Sequence, residues 1–302
     1  MGGRDQTGQD GLTLEAVIVA VTDRSPRVLT VGAVAPSLPS VELRHGDRTL
    51  ELALRRGIEE QTGLDVGYVE QLYTFGDLGR VPGVDRRAVS VAYLALVREE
   101  QPSSDAHWRP WYRLFPWEDR REGVPTLVGE VIEPALSGWV AAAGSVGEEA
   151  ERRLRADAAF GLGDAAWDGV RSLERYELLW ELGLLQEAAR GGDGLGSEAM
   201  ALDHRRIVAS AVGRLRGKLT YRPTVFELLP SQFTLLQLQQ VVEALAGVAL
   251  HKQNFRRLVD QGGLVEGTGH TVATGGRPAE LFTFRRAVVA ERPRPGVGSP
   301  WS

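Results

Sequence analysis

The sequence contains no cysteine, which excludes disulfides, thiolate nucleophiles and zinc sites with cysteine ligands. The 5 histidines show no spacing typical of metal ligands, so we expect neither a metal nor a required cofactor. No run of about 18 apolar residues is present, and residues 1–11 are polar and glycine-rich, unlike a secretory signal. These absences predict a cytoplasmic protein without membrane contact and with a disordered tail at 1–11.

The charge is distributed unevenly along the chain. At 302 residues the chain is longer than one hydrophobic core usually organises, so two domains are expected, or three if the middle folds separately. Residues 1–203 contain 21 Lys or Arg and 34 Asp or Glu, a net charge of −13, whereas residues 204–286 contain 12 and 5, a net charge of +7. A basic module on an acidic body is typical of a separate nucleic-acid-binding domain. Chance surface charge is the alternative.

The first hundred residues show an α/β pattern. An amphipathic helix is predicted at 48–62, where Leu50, Leu54 and Ile58 recur every four residues, and Gly63 is expected to end it. β-rich runs stand at 14–21, 27–32, 66–76 and 88–97. We therefore predict an α/β domain over 12–150.

The middle of the chain changes character. Residues 99–190 are predicted to be mainly helical, with a tryptophan cluster at Trp108, Trp111 and Trp117 that we assign to core packing. The glycine-rich stretch 191–197 is typical of a domain linker or a loose loop between helices. The prediction for 151–200 is therefore a helical connector that ends in this linker.

The C-terminal third has the element order of a winged helix-turn-helix, predicted over 201–286. A first helix begins near His204, with its basic residues expected in solvent. A second helix begins after the N-cap Thr234 and ends at Gly247, and a third follows at 251–263. Two β-like runs around a Gly/Thr-rich loop complete the pattern, and residues 287–302 are predicted to be a flexible tail.

Several segments carry a family resemblance. The runs RTLELALRRGIEEQTGL, YVEQLYTFGDLGR and VSVAYLALV resemble Nudix-related transcriptional regulators of NAD metabolism, and KLTYRPTVFELLPSQFTLLQLQQVVEALAG resembles their winged-helix domain. The resemblance covers roughly 12–100 and 203–285. LPS at 38–40 and YTFGD are most similar to the NadQ-like subgroup, which represses genes of de novo NAD synthesis, rather than to the NrtR-like salvage regulators. The implied N-terminal fold is a Nudix-like α/β/α sandwich.

The Nudix motif itself is incomplete. A working motif reads G-x5-E-x7-R-E-U-x-E-E-x-G-U, with U aliphatic, and its carboxylates hold Mg²⁺ against a diphosphate. Arg56, Ile58, Glu60, Gly63 and Leu64 match it. The two other glutamates of its helical part are replaced by Gly57 and Gln61, and its first glycine and glutamate are replaced by Glu42 and Arg48. We therefore predict no catalytic and no metal-binding residues; residual hydrolysis of ADP-ribose or a related nucleoside diphosphate, suggested by Glu59 and Glu60, is the alternative.

The resemblance implies that the pocket binds a nucleotide as an effector, with ADP-ribose, NAD or ATP as candidates. Arg56 and Arg80 are the candidate phosphate contacts, Tyr73, Phe75 and Tyr93 the candidate adenine contacts, and Asp77 the candidate ribose contact. Each has an alternative without a ligand. The aromatic residues suit core positions of a sheet, Arg80 suits a solvated loop, and Arg56 suits a structural role.

The third helix carries the candidate DNA contacts. Gln253, Asn254 and Arg257 are predicted to read bases in the major groove, and Lys252 and Arg256 to contact phosphates. Arg277, in the loop between the two β-runs, is predicted to enter the minor groove. Ion pairs with acidic neighbours are the alternative for Arg256 and Arg257.

The expected function is that of a repressor of NAD biosynthesis genes. It would bind a palindromic operator in double-stranded DNA as a homodimer, and the middle helices and the linker would transmit effector binding. A nucleotide-binding adaptor whose basic part contacts an acidic protein is a further alternative.

Overall fold

The computed structural model describes residues 12–33, 35–77, 88–102, 105–188, 194–273, 275–293, 295–298 and Pro300. The tail predicted at 1–11 and the candidate Arg80 lie outside these residues. In the described part of the chain, no helix combines the length and apolar character needed to cross a membrane.

A mixed sheet of six strands forms the centre of the N-terminal part. Its main path has the order β4-β5-β1-β2-β6, and β3 pairs with β1 beside it. β1 and β5 run parallel, from Leu12↔Val89 to Val19↔Leu96, and the other pairs are antiparallel. The strands are β1 Leu12–Thr22, β2 Ser25–Val31, β3 Ser40–Glu42, β4 Tyr68–Phe75, β5 Val89–Leu96 and β6 Ala106–Pro110. All four strands predicted from β-rich runs are present.

The two faces of the sheet bury two separate apolar clusters. Because side chains alternate along a strand, Leu14 and Ile18 of β1 lie on one face, while Val17 and Val19 lie on the other. The first face packs against helix α1 (Leu50–Thr62). The second face packs against helices from later in the chain. The sheet therefore lies between two helical layers, as an α/β/α sandwich requires.

Local signals define both ends of α1. The Thr49 side chain accepts a hydrogen bond from the Leu52 amide, which caps one of the free N–H groups of the first turn. Gly63 adopts a left-handed conformation with φ 71°, and its N–H donates to Glu59 O at 2.8 Å. The predicted helix and its predicted stop are thus confirmed.

The middle of the chain differs from the prediction at its start. Residues 99–190 are mainly helical, but β6 extends the sheet by pairing with β2, in register Val28↔Arg109. This pairing joins residues far apart in the chain, so local propensity did not indicate it. The helices are α2 Trp111–Leu114, α3 Glu133–Ala141 after a π-helical turn Val128–Ile132, α4 Val146–Phe160 and α5 Ser172–Glu181, with a 3-10 turn at Pro116–Glu118.

The glycine-rich stretch is packed where it is described, which differs from the loose linker expected there. Residues 189–193 lie outside the described part. The following 3-10 turn, Gly194–Gly196, buries Leu195, and Met200 is buried in the same cluster. The packing is explained by Leu195 within the stretch and by Met200 just after it.

The C-terminal part has the predicted order of a winged helix-turn-helix. Thr234 and Gln237 form a reciprocal capping box at the start of α7, and Gly247 ends that helix with φ 72°. The hairpin pairs Val265 with Phe284, and Phe233 joins Phe282 of its second strand through two backbone hydrogen bonds of 2.8 and 3.0 Å. The elements are α6 His204–Leu219, a 3-10 turn Thr224–Leu228, α7 Leu235–Ala246, α8 Lys252–Gly262, β7 Val265–Val272 and β8 Ala279–Phe284.

The segment predicted as a flexible tail from residue 287 is ordered over its described residues. Val288–Glu291 form a helical turn, α9, and Val288 is fully buried. Val297 is also buried, and its N–H donates to Leu219 O at 2.8 Å. Both valines belong to the large apolar cluster, and the Val297 hydrogen bond attaches the segment to the end of α6.

Candidate nucleic-acid interface and effector site

One face of helix α8 is polar and exposed to solvent. Phe255 and Val259 are buried and attach the helix to the winged-helix core. The exposed residues of α8 are Asp260, Gln261 and the five that the sequence predicts as DNA contacts, Lys252, Gln253, Asn254, Arg256 and Arg257. The structure thus places all five on the solvent side of one helix.

The cationic residues of this face are not used by the fold. Among the residues that the structure describes, no ion pair involves Lys252, Arg256 or Arg257. This arrangement disfavours the alternative of ion pairs with acidic neighbours. The three cations remain available to an anionic partner such as a phosphate backbone.

The hairpin of β7 and β8, here called the wing, follows α8 in the chain, and Arg277 lies in the turn of this hairpin. Arg277 is exposed between β7 and β8. The wing is attached to the domain through Phe284, whose ring stacks on Phe226 with centroids 4.3 Å apart. An exposed arginine at the tip of an anchored hairpin suits the predicted contact beside the reading helix.

In the N-terminal part, the exposed face of α1 carries a network of charges. Arg44 donates two hydrogen bonds to Glu60, at 2.7 and 2.8 Å. Arg56 donates to Glu60 at 3.1 Å and to both carboxylate oxygens of Asp47, at 2.9 and 3.1 Å. Hydrogen bonds from Arg44 lower the pKa of Glu60, and those from Arg56 lower the pKa of Asp47. Both carboxylates are thus ionised and already neutralised by arginines.

Gly57, which stands where the Nudix motif has a glutamate, faces β3. A Cβ atom at this position would lie 2.3 Å from Val41 Cγ2 and 2.5 Å from Val41 Cγ1. The space for a carboxylate side chain is therefore filled by Val41. Within the described residues, no group of three or more His, Asp or Glu side chains is placed to hold a metal ion.

The five candidate effector residues that the structure describes do not converge on one site. Arg56 and Tyr93 lie on the α1 face, where Tyr93 is only 5 % exposed within the apolar cluster. Phe75 is 4 % exposed in the cluster of the other face, so both rings occupy core positions. Tyr73 is 62 % exposed, and its ring lies 5.6 Å from that of Phe75. The described candidates therefore form two groups.

The second group, at the end of β4, contacts the helix that leads into the winged helix. Asp77 forms an ion pair of 2.6 Å with Arg206 of α6, whose guanidinium also lies 5.6 Å from the Phe75 ring. Further along β4, Glu70 pairs with Lys218 and, at 3.3 Å, with Arg214. No sequence pattern indicated these contacts, and the basic residues of α6 were expected in solvent.

Two arginines of α6 depart most clearly from the expectation that the basic residues of this helix lie in solvent. Arg205 is 1 % exposed and Arg216 is fully buried, because each enters the boundary between α6 and the sheet-bearing part. Arg205 donates to Glu187 at 3.1 Å and to Leu114 O. Long cationic side chains reach such buried partners only when the fold brings distant carboxylates to the same place.

Arg216 belongs to a buried ion network centred on Glu118. Glu118 accepts hydrogen bonds from Arg175 Nε at 2.5 Å and Nη2 at 3.0 Å, and its Oε2 also accepts from Arg216. Burial disfavours the charge of Glu118, but the two arginines outweigh this effect and lower its pKa. The network joins the segment after β6, helix α5 and helix α6 at one buried point.

Comparison with known proteins supports the two-part organisation. Residues 225–284 match the family model of the NrtR DNA-binding winged helix domain. A curated relative, the ADPR responsive transcriptional repressor NtrR of Acinetobacter baylyi, is 38% identical over 85 residues, which make up 28% of this chain. In that match the chain spans only 34% of the relative's length.

Solved structures extend the likeness to the whole fold. Shewanella oneidensis NrtR, in complex with a 27mer DNA, is 22% identical and has a TM-score of 0.57, covering 92% of this chain and 95% of that one. A MutT/nudix family protein from Enterococcus faecalis is 18% identical, with a TM-score of 0.54 over 94% of this chain and 90% of that one. The predicted resemblance to Nudix-related regulators and the predicted fold class, a Nudix-like part, helical middle and winged helix, are thereby confirmed. The matched family model and structure are those of NrtR, not of the NadQ-like subgroup that LPS at 38–40 and YTFGD indicated.

Proposed function

We propose that the protein is a DNA-binding transcriptional repressor that senses an NAD-related nucleotide through a Nudix-like domain without hydrolysing it. The observation that carries this proposal is the unpaired cationic face of α8 within a segment that matches the NrtR winged helix. The curated relative is named as an ADPR-responsive repressor, and the NrtR structure was determined with DNA. These names support DNA as the partner and ADP-ribose as the effector.

On the DNA, we assign base reading to Gln253, Asn254 and Arg257, and phosphate contacts to Lys252 and Arg256. Amide and guanidinium groups pair with the edges of adenine and guanine, while lysine binds phosphate as a point charge. A homodimer would place two reading helices on the half-sites of a palindromic operator. Regulation of NAD biosynthesis genes and a cytoplasmic location are part of the same proposal.

For the effector, we propose that the exposed group at the end of β4 takes part in binding. Tyr73 offers an open aromatic face, and Asp77 offers a carboxylate that could accept from a ribose hydroxyl. Because Phe75 and Tyr93 are buried, their rings support this region from the core rather than stack on a base. Arg56 is held by Asp47 and Glu60, which favours a structural role.

The proposed absence of turnover is supported by the geometry of the α1 face. Gly57 has no room for the missing glutamate, and Glu60 is neutralised by Arg44 and Arg56. A single carboxylate with two arginine partners attracts Mg²⁺ weakly, because divalent sites depend on several uncompensated oxygen ligands. The alternative is residual hydrolysis of ADP-ribose, which would release AMP.

The proposal is tested on the full chain with duplexes selected from fragments of the source genome. Fluorescence anisotropy should show specific binding that ADP-ribose, NAD or ATP shifts at fixed salt. Lys252→Ala combined with Arg256→Ala should weaken all duplexes alike and lower the slope of log affinity against log salt by about 2. The matched control, Arg153→Ala with Arg155→Ala, removes two exposed charges from α4 and should change neither quantity.

Two outcomes would contradict the proposal. One is failure of the purified chain to bind duplexes at low salt, which would favour the adaptor alternative. The other is release of AMP from ADP-ribose with Mg²⁺ or Mn²⁺, detected by mass spectrometry, which would favour the hydrolase.

A further inference from the structure

The C-terminal end of α7 is held by donors from outside the matched winged-helix segment. An α-helix leaves its last four carbonyl groups without partners inside the helix. Here Ala244 O accepts from the Tyr112 hydroxyl at 2.7 Å, and Leu245 O accepts from Arg216 Nε at 2.9 Å. Gly247 O, in the turn, accepts from the Arg120 N–H at 2.7 Å. Two of these three donors belong to the segment that follows β6.

The turn between α7 and α8 packs closely on that same segment. A Cβ atom on Gly247 would lie 2.5 Å from Glu118 O and 3.0 Å from the Tyr112 hydroxyl. The next residue, Val248, forms a parallel β-bridge with Arg120. The turn residue must therefore be glycine both for its positive φ and for this contact.

The segment is connected to the sheet over a very short distance. Tyr112 lies in α2, which follows β6 without an intervening loop, and β6 pairs with β2. Its neighbours Trp111 and Leu114 are buried in the core, so α2 cannot shift independently of the sheet. Burial raises the pKa of Tyr112, so its hydroxyl stays protonated and able to donate near neutral pH.

We propose that residues 111–121, here called the turn clamp, set the orientation of the reading helix α8, with Tyr112 as the positioning residue. The angle between the two helices of such a unit depends on the turn that joins them. The sheet-bearing part therefore acts directly on the turn, through hydrogen bonds to Ala244 and Gly247. This route uses α2, the first of the middle helices, and bypasses both the later middle helices and the linker, which were predicted to transmit effector binding. Only its effect on DNA binding rests on the proposed function.

The first arm of the test uses hydrogen exchange and needs no ligand. Tyr112→Phe removes one hydroxyl from the full chain and keeps the ring. Amides from Gly247 to Phe255 should exchange about 2- to 10-fold faster, as expected for loss of one hydrogen bond, while β5 amides keep their rates. The control Tyr221→Phe, at an exposed tyrosine of the C-terminal part, should change neither region.

The second arm compares a selected duplex with a duplex of random sequence. Tyr112→Phe should weaken the selected duplex about 2- to 10-fold and leave the random one unchanged, because only base reading requires a fixed helix orientation. Unchanged exchange at the turn, or faster exchange throughout the chain, would overturn the inference. If the wild-type chain binds no duplex, the proposed function fails, and the exchange arm still decides the inference.

Discussion

Replacement of Glu118 by glutamine tests the buried ion network most directly. The variant keeps the shape of the side chain but leaves Arg175 and Arg216 without their carboxylate in a region closed to water. Removal of one partner from a buried pair costs about 3–5 kcal/mol, because the remaining charge stays desolvated. Since the whole stability of a domain is about 5–15 kcal/mol, Glu118→Gln should lower the urea midpoint by a large fraction.

The pH dependence provides a second signature of the same network. The pKa of Glu118 is lower in the folded state, because Arg175 and Arg216 outweigh the effect of burial. Its contribution to the free energy of unfolding is therefore complete above the ordinary glutamate value of about 4.3, and is lost as the pH falls through the folded-state pKa. The stability difference between wild type and Glu118→Gln should accordingly be largest near pH 7 and shrink in acid.

Urea unfolding followed by tryptophan fluorescence measures both effects. The control Glu181→Gln breaks an ion pair of similar length, 2.7 Å to Arg155, whose side chains are nearly half exposed. Such surface pairs contribute at most about 1 kcal/mol, so this control should stay close to wild type at every pH. Equal midpoints for the two variants at pH 7 would refute the reasoning that the network stabilises the junction.

Two further predictions concern the Nudix-like part. Gly57→Ala gains up to about 1 kcal/mol of helix propensity, but its Cβ atom would overlap the Val41 side chain. Because such overpacking costs about 1–3 kcal/mol, the variant should unfold at a lower temperature than wild type. Gly46→Ala, with open space around its Cβ, should be near neutral, and equal stability of both variants would contradict the overlap. Tyr73→Ala should change the free energy of unfolding by no more than about 0.5 kcal/mol. The same variant should bind ADP-ribose about 5- to 150-fold more weakly, as measured by calorimetry. Unchanged affinity would remove Tyr73 from the effector site.

Elements with local signals could be predicted from the sequence. The Thr234 cap, the stop at Gly63 and the apolar spacing of α1 all act within a few residues, so their prediction required no knowledge of the fold. The exposed face of α8 was predicted for the same reason, since Phe255 and Val259 identify the buried side. These signals located the candidate DNA interface.

The contacts of α6 could not be predicted in this way. An arginine on a helix is expected to be solvated unless its partner is known. The partners of Arg205 and Arg216 lie in other segments, which come close to α6 only when the chain folds. The effector candidates failed to converge for a related reason. A register shift between Gln71 and Thr74 changes which side chains of β4 share a face, and no local pattern shows where a bulge falls.

The burial of Arg205 and Arg216 makes the winged-helix part depend on the rest of the chain for its stability. A fragment cut at the bounds of the matched segment, 225–284, would lack both α6 and α9, whose Val288 is buried in the core. A longer fragment starting at 201 would contain both arginines but neither Glu118 nor Glu187. The two guanidinium groups would then stay buried without a carboxylate partner, or water would enter the core and loosen its packing. The winged-helix part therefore cannot be transferred to another protein on its own. A transferred segment would also need carboxylates equivalent to Glu118 and Glu187 to pair with the two arginines.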